Sequence, residues 1–293
     1  MANGVCNIWG CSFFWGCWRA WAWYNPWPIS MPTPAYARAD YRGMAARIAA
    51  DDHPNGAIIL NAPNQWEVFT YYHTEGAPVY PLPLAGMSQE QVQAELAAIA
   101  ARHERIYAIY WGDGQQDPQR LVESWLDENS YKAASDWYQD VRFVIYAVPS
   151  APATEMETPL TLRFGDAISL QGYTLAQKEL APGDILQITL FWQTAVPLTQ
   201  RYKVFLHLLD ENGQLVTQHD SEPGGALKPT HTWPSNEIIR DNHGLLLPVD
   251  LAPGRYTLIL GLYDIADPED RLPIETENGR LDALPLETIV VTE

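Results

Sequence analysis

The residues best suited to chemistry gather in one stretch of this 293-residue chain: His207, Gln218, His219, Asp220, Thr230, His231, Trp233, Asp241 and His243. Imidazoles and carboxylates are the ligands of a zinc site. Their spacing does not support one, because neither H-x-H nor H-E-x-x-H occurs. They read as structural histidines and turn-capping aspartates, so no metal, no cofactor and no catalytic constellation are expected. Aromatic rings offer a second chemistry. Trp192, Trp233, Tyr256 and Tyr263 have flat apolar faces of the kind that stack on sugar rings, and core packing is the competing reading for each. The loop from Pro223 to Pro234 is the best place for such a site. It is long, holds Gly224-Gly225, and offers Trp233 as a face, with His231, Asp220 and His207 as hydrogen-bonding candidates. Two more polar candidates, Gln65 and Asp113, lie far upstream.

Residues 159–293 must position the first group. Short alternating runs separated by turn signals predict an all-β sandwich, jelly-roll-like or immunoglobulin-like. Its candidate strands run over 160–164, 168–176, 185–194, 202–210, 215–221, 238–247, 254–264 and 286–291. The clearest stretch is Tyr202 to Asp220. Its first arm is apolar on both faces, and Asn212-Gly213 suits a tight hairpin turn, which predicts a hairpin in the middle of a sandwich rather than at an edge.

Residues 34–150 must position Gln65 and Asp113. Apolar runs at 57–61 and 105–111, a proline-containing strand at 78–84 and a final strand at 141–148 alternate with helices at 41–50, 63–73, 88–103 and 119–129. This alternation predicts an α/β unit with a parallel or mixed sheet. Asn64 is expected to cap the second helix, and Ser88 with Gln91 forms a capping pattern at the third. Ligands bind such sheets beyond the carboxyl ends of their strands, where Gln65 and Asp113 fall. Neither end carries a nucleotide fingerprint. A linker rich in Pro, Thr and Glu over 151–158 separates the two units, which predicts two cores and preferential proteolysis between them.

A formal net charge of −18, spread over both halves, excludes a nucleic-acid surface and docking on anionic lipid. The first 33 residues stand apart. They hold six of the twelve tryptophans, all three cysteines (Cys6, Cys11 and Cys17) and one charged residue, Arg19. The segment fits neither a signal peptide nor a spanning helix. A Leu-rich helix written in CTG codons and read one base late yields Cys and Trp. The segment therefore reads as a damaged or frameshifted membrane helix, and the alternative is a Trp-rich arm in contact with the bilayer surface.

Pro34-x-Tyr36-x-Arg38-x-Asp40-Tyr41-Arg42, then Ile58 to Asn61 and Gln65…Tyr71-Tyr72, resembles the segment after the last membrane helix of bacterial polytopic glycosyltransferases of the dolichyl-phosphate-mannose-type, mannosyltransferase-like family. Gly183-Asp184…Trp192, Tyr202-x-Val204-Phe205-x-His207, Gln218-x-Asp220, Pro229-Thr230-x-x-Trp233 and Gly254-x-Tyr256…Gly261-x-Tyr263-Asp264 resemble the β-sandwich that some of them carry at the C-terminus. The resemblance spans 34–293. It implies a non-catalytic tail on the extracytoplasmic face of a bacterial membrane, meeting a glycan or polyprenyl-linked sugar through a parent enzyme whose membrane part carries the catalysis. The family's catalytic residues have no counterpart here. If residues 1–33 are no anchor, the resemblance implies a soluble protein. A free carbohydrate-binding or adhesion module, and more remotely a glycoside-acting hydrolase using Asp220 or Asp241, are the rival readings.

Overall fold

The computed structural model describes residues 39–151, 153–276 and 279–292, and the 1–33 segment lies outside them. The described residues are mostly β. Near the N-terminus, α1 (Tyr41–Asp51), β1 (Gly56–Leu60), α2 (Trp66–Tyr72), β2 (Val79–Pro81), α3 (Gln89–Ala100), β3 (Arg105–Tyr110), α4 (Asp113–Gln116), α5 (Leu121–Asn129), β4 (Tyr131–Tyr138) and β5 (Val141–Ala147) follow in order. The five strands form one mixed sheet in the order β2-β1-β3-β5-β4; β1 runs parallel to β2 and β3, and the β3–β5 and β5–β4 pairs are antiparallel. Alternation along β1 sends Ile58 and Leu60 to one face with Met44, Ile48 and Phe69, and Ala57 and Ile59 to the other with Val92, Leu96 and Leu126. Helices on both faces explain why β1 and β3 are buried from end to end.

Local chemistry sets the helix starts. The Asp40 carboxylate accepts the Gly43 N–H at 2.8 Å and opens α1. Ser88 and Gln91 form a reciprocal capping box at α3. The helix expected over 63–73 is shorter: Pro63–Gln65 is a 3-10 turn, α2 begins only at Trp66, and Asn64 caps nothing. The strand β4 was not foreseen, and its Lys132 is buried by pairing with carboxylates rather than by apolar character.

The second half contains β6 (Thr158–Phe164), β7 (Ile168–Leu175), β8 (Glu179–Leu180), β9 (Ile185–Thr194), β10 (Tyr202–Leu209), β11 (Leu215–Ser221), β12 (Ile239–Leu246), β13 (Gly254–Asp264), β14 (Asp267–Arg271), β15 (Ile274–Thr276), β16 (Gly279–Leu281) and β17 (Leu284–Val291). One six-stranded sheet runs β11-β10-β13-β17-β8 with β14 beside β13, and the other runs β12-β9-β7-β6-β15-β16. Leu186, Ile188, Leu190 and Trp192 of the second meet Val204, Leu206, Leu258 and Leu260 of the first in a single apolar core. The β10–β11 hairpin departs from expectation in two ways. Only Gly213 takes positive φ, and the loop closes through Asp210, whose Oδ1 accepts the Asn212 and Gln214 N–H groups. In addition β11 is the edge strand of its sheet.

The two halves belong to one compact unit and share a seam. The strand β4 crosses the outer face of β12 so closely that a Cβ on Gly244 would lie 2.9 Å from both the Ala133 Cβ and the Tyr131 carbonyl. Around it, the Tyr131 hydroxyl bonds the Thr189 hydroxyl at 3.0 Å, Arg240 donates to the Glu128 carbonyl at 2.8 Å, and Ile185 and Leu246 join the apolar layer under α1.

Candidate functional site

On β10 the alternation that sends Val204, Leu206 and Leu208 into the core turns Phe205 and His207 to the opposite face. Across β11, Asp220 stands opposite Phe205, and across β13, Gly261 does so. His207 Nε2 lies 3.2 Å from Asp220 Oδ1, and the Tyr263 hydroxyl donates to Asp220 Oδ2 at 3.3 Å. The Phe205 ring is shielded by Tyr263, stacked at 6.3 Å between centroids, and by the Arg271 guanidinium 4.7 Å above it. Burial, reinforced by the Asp220 carboxylate, pushes the Tyr263 hydroxyl up to about 12, so it stays a neutral donor at physiological pH. This face carries no packed layer of helix or sheet among the described residues. It presents a carboxylate, an imidazole, a phenol, a guanidinium and aromatic rings within one patch. Among the described residues no group of three or more His, Cys, Asp or Glu could hold a metal ion.

Of the residues singled out in the sequence, His207 and Asp220 are brought together. Tyr263, singled out in the sequence as a stacking ring, joins them from β13. Phe205, Gly261 and Arg271 complete the patch; Arg271 comes from a strand distant in sequence, Gly261 carries no side chain to notice, and Phe205 reads as one apolar residue of β10. His231 is exposed on a 3-10 turn, Thr230–Thr232, away from any polar partner. Trp233 does not offer its face to solvent: it is 4% exposed, packs in the sandwich core and donates its indole N–H to the Lys228 carbonyl at 2.8 Å. Trp192 and Tyr256 are core residues as well. Gln65 accepts the Tyr41 hydroxyl at 3.3 Å. Asp113 opens the one-turn α4, and its side chain lies outside the described structure. A depression of about 530 Å³ beyond the carboxyl ends of β1 and β3 is lined by Asn64, Met87, Gln115, Gln116 and Asp117, and Gln65 is not among its walls. A cleft of about 1030 Å³ lies on the seam between the halves, beside Arg105, Trp125, Asn129, Gln177 and Gln187.

Two buried polar networks stand behind these surfaces. Inside the sandwich, Asp241 accepts the Trp192 indole N–H at 3.2 Å and the Gly224 N–H at 2.8 Å, and lies 2.6 Å from His243 Nε2; His243 Nδ1 is 3.4 Å from the Ser221 hydroxyl. The order Ser, His, Asp is that of an acyl-transfer relay. Here the His and Asp are sealed from solvent, and the carboxylate is saturated by structural donors, so the chain of bonds is internal scaffolding. Asp241 therefore shares no surface with Asp220. Beside it, burial and then the His243 ring hold His219 down at about 3, and it remains neutral. At the seam, Glu123 meets Arg120, Lys132 and Arg142, while Asp127 takes Lys132 at 2.8 Å and the Tyr146 hydroxyl at 2.9 Å.

No family model matches the sequence, and no curated protein matches it. Among solved structures, the C-terminal domain of Wzt is 14% identical over 46% of this chain and 80% of its own, with a TM-score of 0.33. A Niemann-Pick type C2 protein from Japanese carpenter ant is 6% identical over 47% and 98%, with a TM-score of 0.26. The CARDB domain of the PF1109 protein from Pyrococcus furiosus is 11% identical over 44% and 94%, also at 0.26. Likenesses at this level say nothing of what the chain does. No helix among the described residues is long and apolar enough to cross a membrane.

Proposed function

We propose that this chain is a non-catalytic, glycan-binding tail held on the extracytoplasmic side of a membrane, of the kind attached to the polytopic glycosyltransferases that its sequence resembles. In this reading an α/β unit is followed by a β-sandwich, and the sandwich does the binding. The observation that carries it is the convergence of His207, Asp220, Tyr263, Phe205 and Arg271 on a sheet face with no layer over it among the described residues. A sugar presents vicinal hydroxyls around an apolar ring face. A carboxylate flanked by an imidazole meets the hydroxyls together with the Arg271 guanidinium, and the half-exposed Tyr263 ring, backed by the buried Phe205, meets the C–H face. Asp220 already accepts from both neighbours, which fixes its carboxylate to orient a ligand hydroxyl. A membrane glycosyltransferase supplies the glycan or polyprenyl-linked sugar that this face meets.

A glycan array probed with the full chain tests the reading, with Asp220→Ala and Tyr263→Ala as variants. Binding that falls about tenfold in each, near the 1.4 kcal/mol of a lost polar contact, supports the face. Binding lost in Trp125→Ala but kept in those two moves the site to the seam cleft. An array without signal ends the glycan reading and leaves the sandwich a structural role.

A further inference from the structure

The mixed sheet has two ends of opposite character. Its amino end is where the chain passes to the sandwich: Arg105 ion-pairs with Asp51 at 2.7 Å, reaches the Gly183 carbonyl at 3.1 Å, and the Val148 N–H bonds the Glu104 carbonyl. Its carboxyl end is where the described chain enters. There the Tyr41 hydroxyl meets Gln65, the Tyr41 ring meets Phe69 edge-on at 6.2 Å, and the Trp111 indole reaches Asp140 at the β4–β5 tip at 2.7 Å.

Trp66 and Trp137 lie at the second end, and Tyr71 and Tyr72 follow on the last turn of α2. Trp66, Tyr71 and Tyr72 on α2 and Trp137 near the hairpin tip are the only large aromatic side chains in the exposed class among the described residues, with Tyr71 at 76% and Trp137 at 65%. Val68 and Leu84 join them. On α2 the outward stripe Val68, Tyr71, Tyr72 follows the i, i+3, i+4 spacing that a helix normally buries, yet the buried side is already supplied by Phe69. Arg42 lies 5.5 Å from the Tyr72 ring, and Arg47 lies beside Asp136 and Tyr138. Rings with polar tips, flanked by arginines, match the belt that proteins place at the water–lipid boundary.

Two further observations select the occupant. The segment that precedes this end carries six tryptophans and one charge in 33 residues, a composition that partitions to the same boundary. The net charge of −18 removes attraction to anionic headgroups, which leaves a zwitterionic surface. We infer that the carboxyl end of the mixed sheet, through Trp66, Tyr71, Tyr72 and Trp137, docks at the headgroup level of a zwitterionic bilayer. Docking there leaves the sandwich, joined at the amino end of the mixed sheet, on the side away from the lipid. The inference does not depend on glycan binding.

Hydrogen exchange of the full chain, free and bound to phosphatidylcholine vesicles, tests it. Peptides covering 66–72 and 136–141 are expected to exchange at least about fivefold more slowly on vesicles, while those in β10 and β11 stay unchanged, because only groups at the boundary lose contact with water. Tyr71→Ser with Trp137→Ser, both at exposed positions, is expected to abolish that protection even where residues 1–33 keep the chain on the vesicle. Failure to bind vesicles, protection placed on the sandwich, or protection that survives the double substitution overturns the proposal. Protection that appears without lipid and grows with protein concentration overturns it in favour of a second copy as occupant. None of these results alters the glycan array, so the two readings fail separately.

Discussion

The Phe205 ring occupies the space that a side chain on Gly261 would need: a Cβ there would lie 2.1 Å from Phe205 Cζ and 2.3 Å from Cε1. The two residues face each other across the β10–β13 ladder. Glycine lets an aromatic ring lie over the neighbouring strand and cover its backbone. Gly261→Ala is therefore expected to lift the ring off the sheet, tilt Tyr263 and Arg271 away, and lower stability by about 1–3 kcal/mol, the range for overpacking. Urea titration measures the first effect and the glycan array the second. Unchanged stability would mean that the ring moves freely and the patch is not preorganised.

Trp233 separates a stability role from a binding role. With its indole in the sandwich core and its N–H held by Lys228, Trp233→Ala is expected to cost about 3–5 kcal/mol, as for other buried tryptophans. Glycan affinity of the fraction that remains folded should stay the same. A variant that melts like the parent but loses binding would restore Trp233 as a contact residue.

How far the site was legible follows from which contacts are local. The capping box at Ser88 and the apolar runs of β1 and β3 depend on neighbours in sequence. His207 and Asp220 were visible as residues, but their meeting depends on register. The three-residue turn and the irregularity between Leu208 and Leu209 set it, and a slip of one residue would send Asp220 to the core side. Tyr263, Gly261 and Arg271 arrive from β13 and β14, and no local pattern announces a partner more than about forty residues away. The strand β4 was illegible for a different reason. Lysine in an apolar stretch reads as a loop or surface residue, and here Glu123 and Asp127 neutralise Lys132 inside the protein. The helix expected over 63–73 gives way to the shorter α2, because Pro63–Gln65 closes as a 3-10 turn of its own.

The seam makes a thermodynamic claim. The linker at 151–158 suggests separable cores, but Gly244 packs against Ala133 and Tyr131, and Ile185 and Leu246 complete the layer under α1. The halves are expected to melt in one transition even after protease nicks the linker. Gly244→Val, which drives a branched side chain into β4, is expected to split the melt into two transitions. Calorimetry decides: two transitions in the parent chain would show that the seam contributes little coupling.

The charged network under the seam should be visible in the pH dependence of stability. Burial pushes the Glu123 carboxyl up, but Arg142, Lys132 and Arg120 outweigh it and hold it at about 2. Its unfolded value is near 4.3. A carboxyl depressed in the folded state adds stability above its unfolded pKa and loses it as pH falls through the folded one. The shift of roughly two units corresponds to about 3 kcal/mol at pH 7, shrinking to about half of that at pH 3. Glu123→Gln should therefore destabilise the protein by about this amount at pH 7 and by clearly less at pH 3. Asp127 gives an independent check. Burial, with repulsion from Glu123 and against the pull of Lys132, raises its carboxyl to about 6. Removing the Glu123 charge frees Lys132 to serve Asp127 alone, so the Asp127 titration should move down, as followed by carboxyl-carbon NMR. A Glu123→Gln penalty that is the same at both pH values, with Asp127 unmoved, would mean that the loss is one of shape and that the ion pairs contribute little.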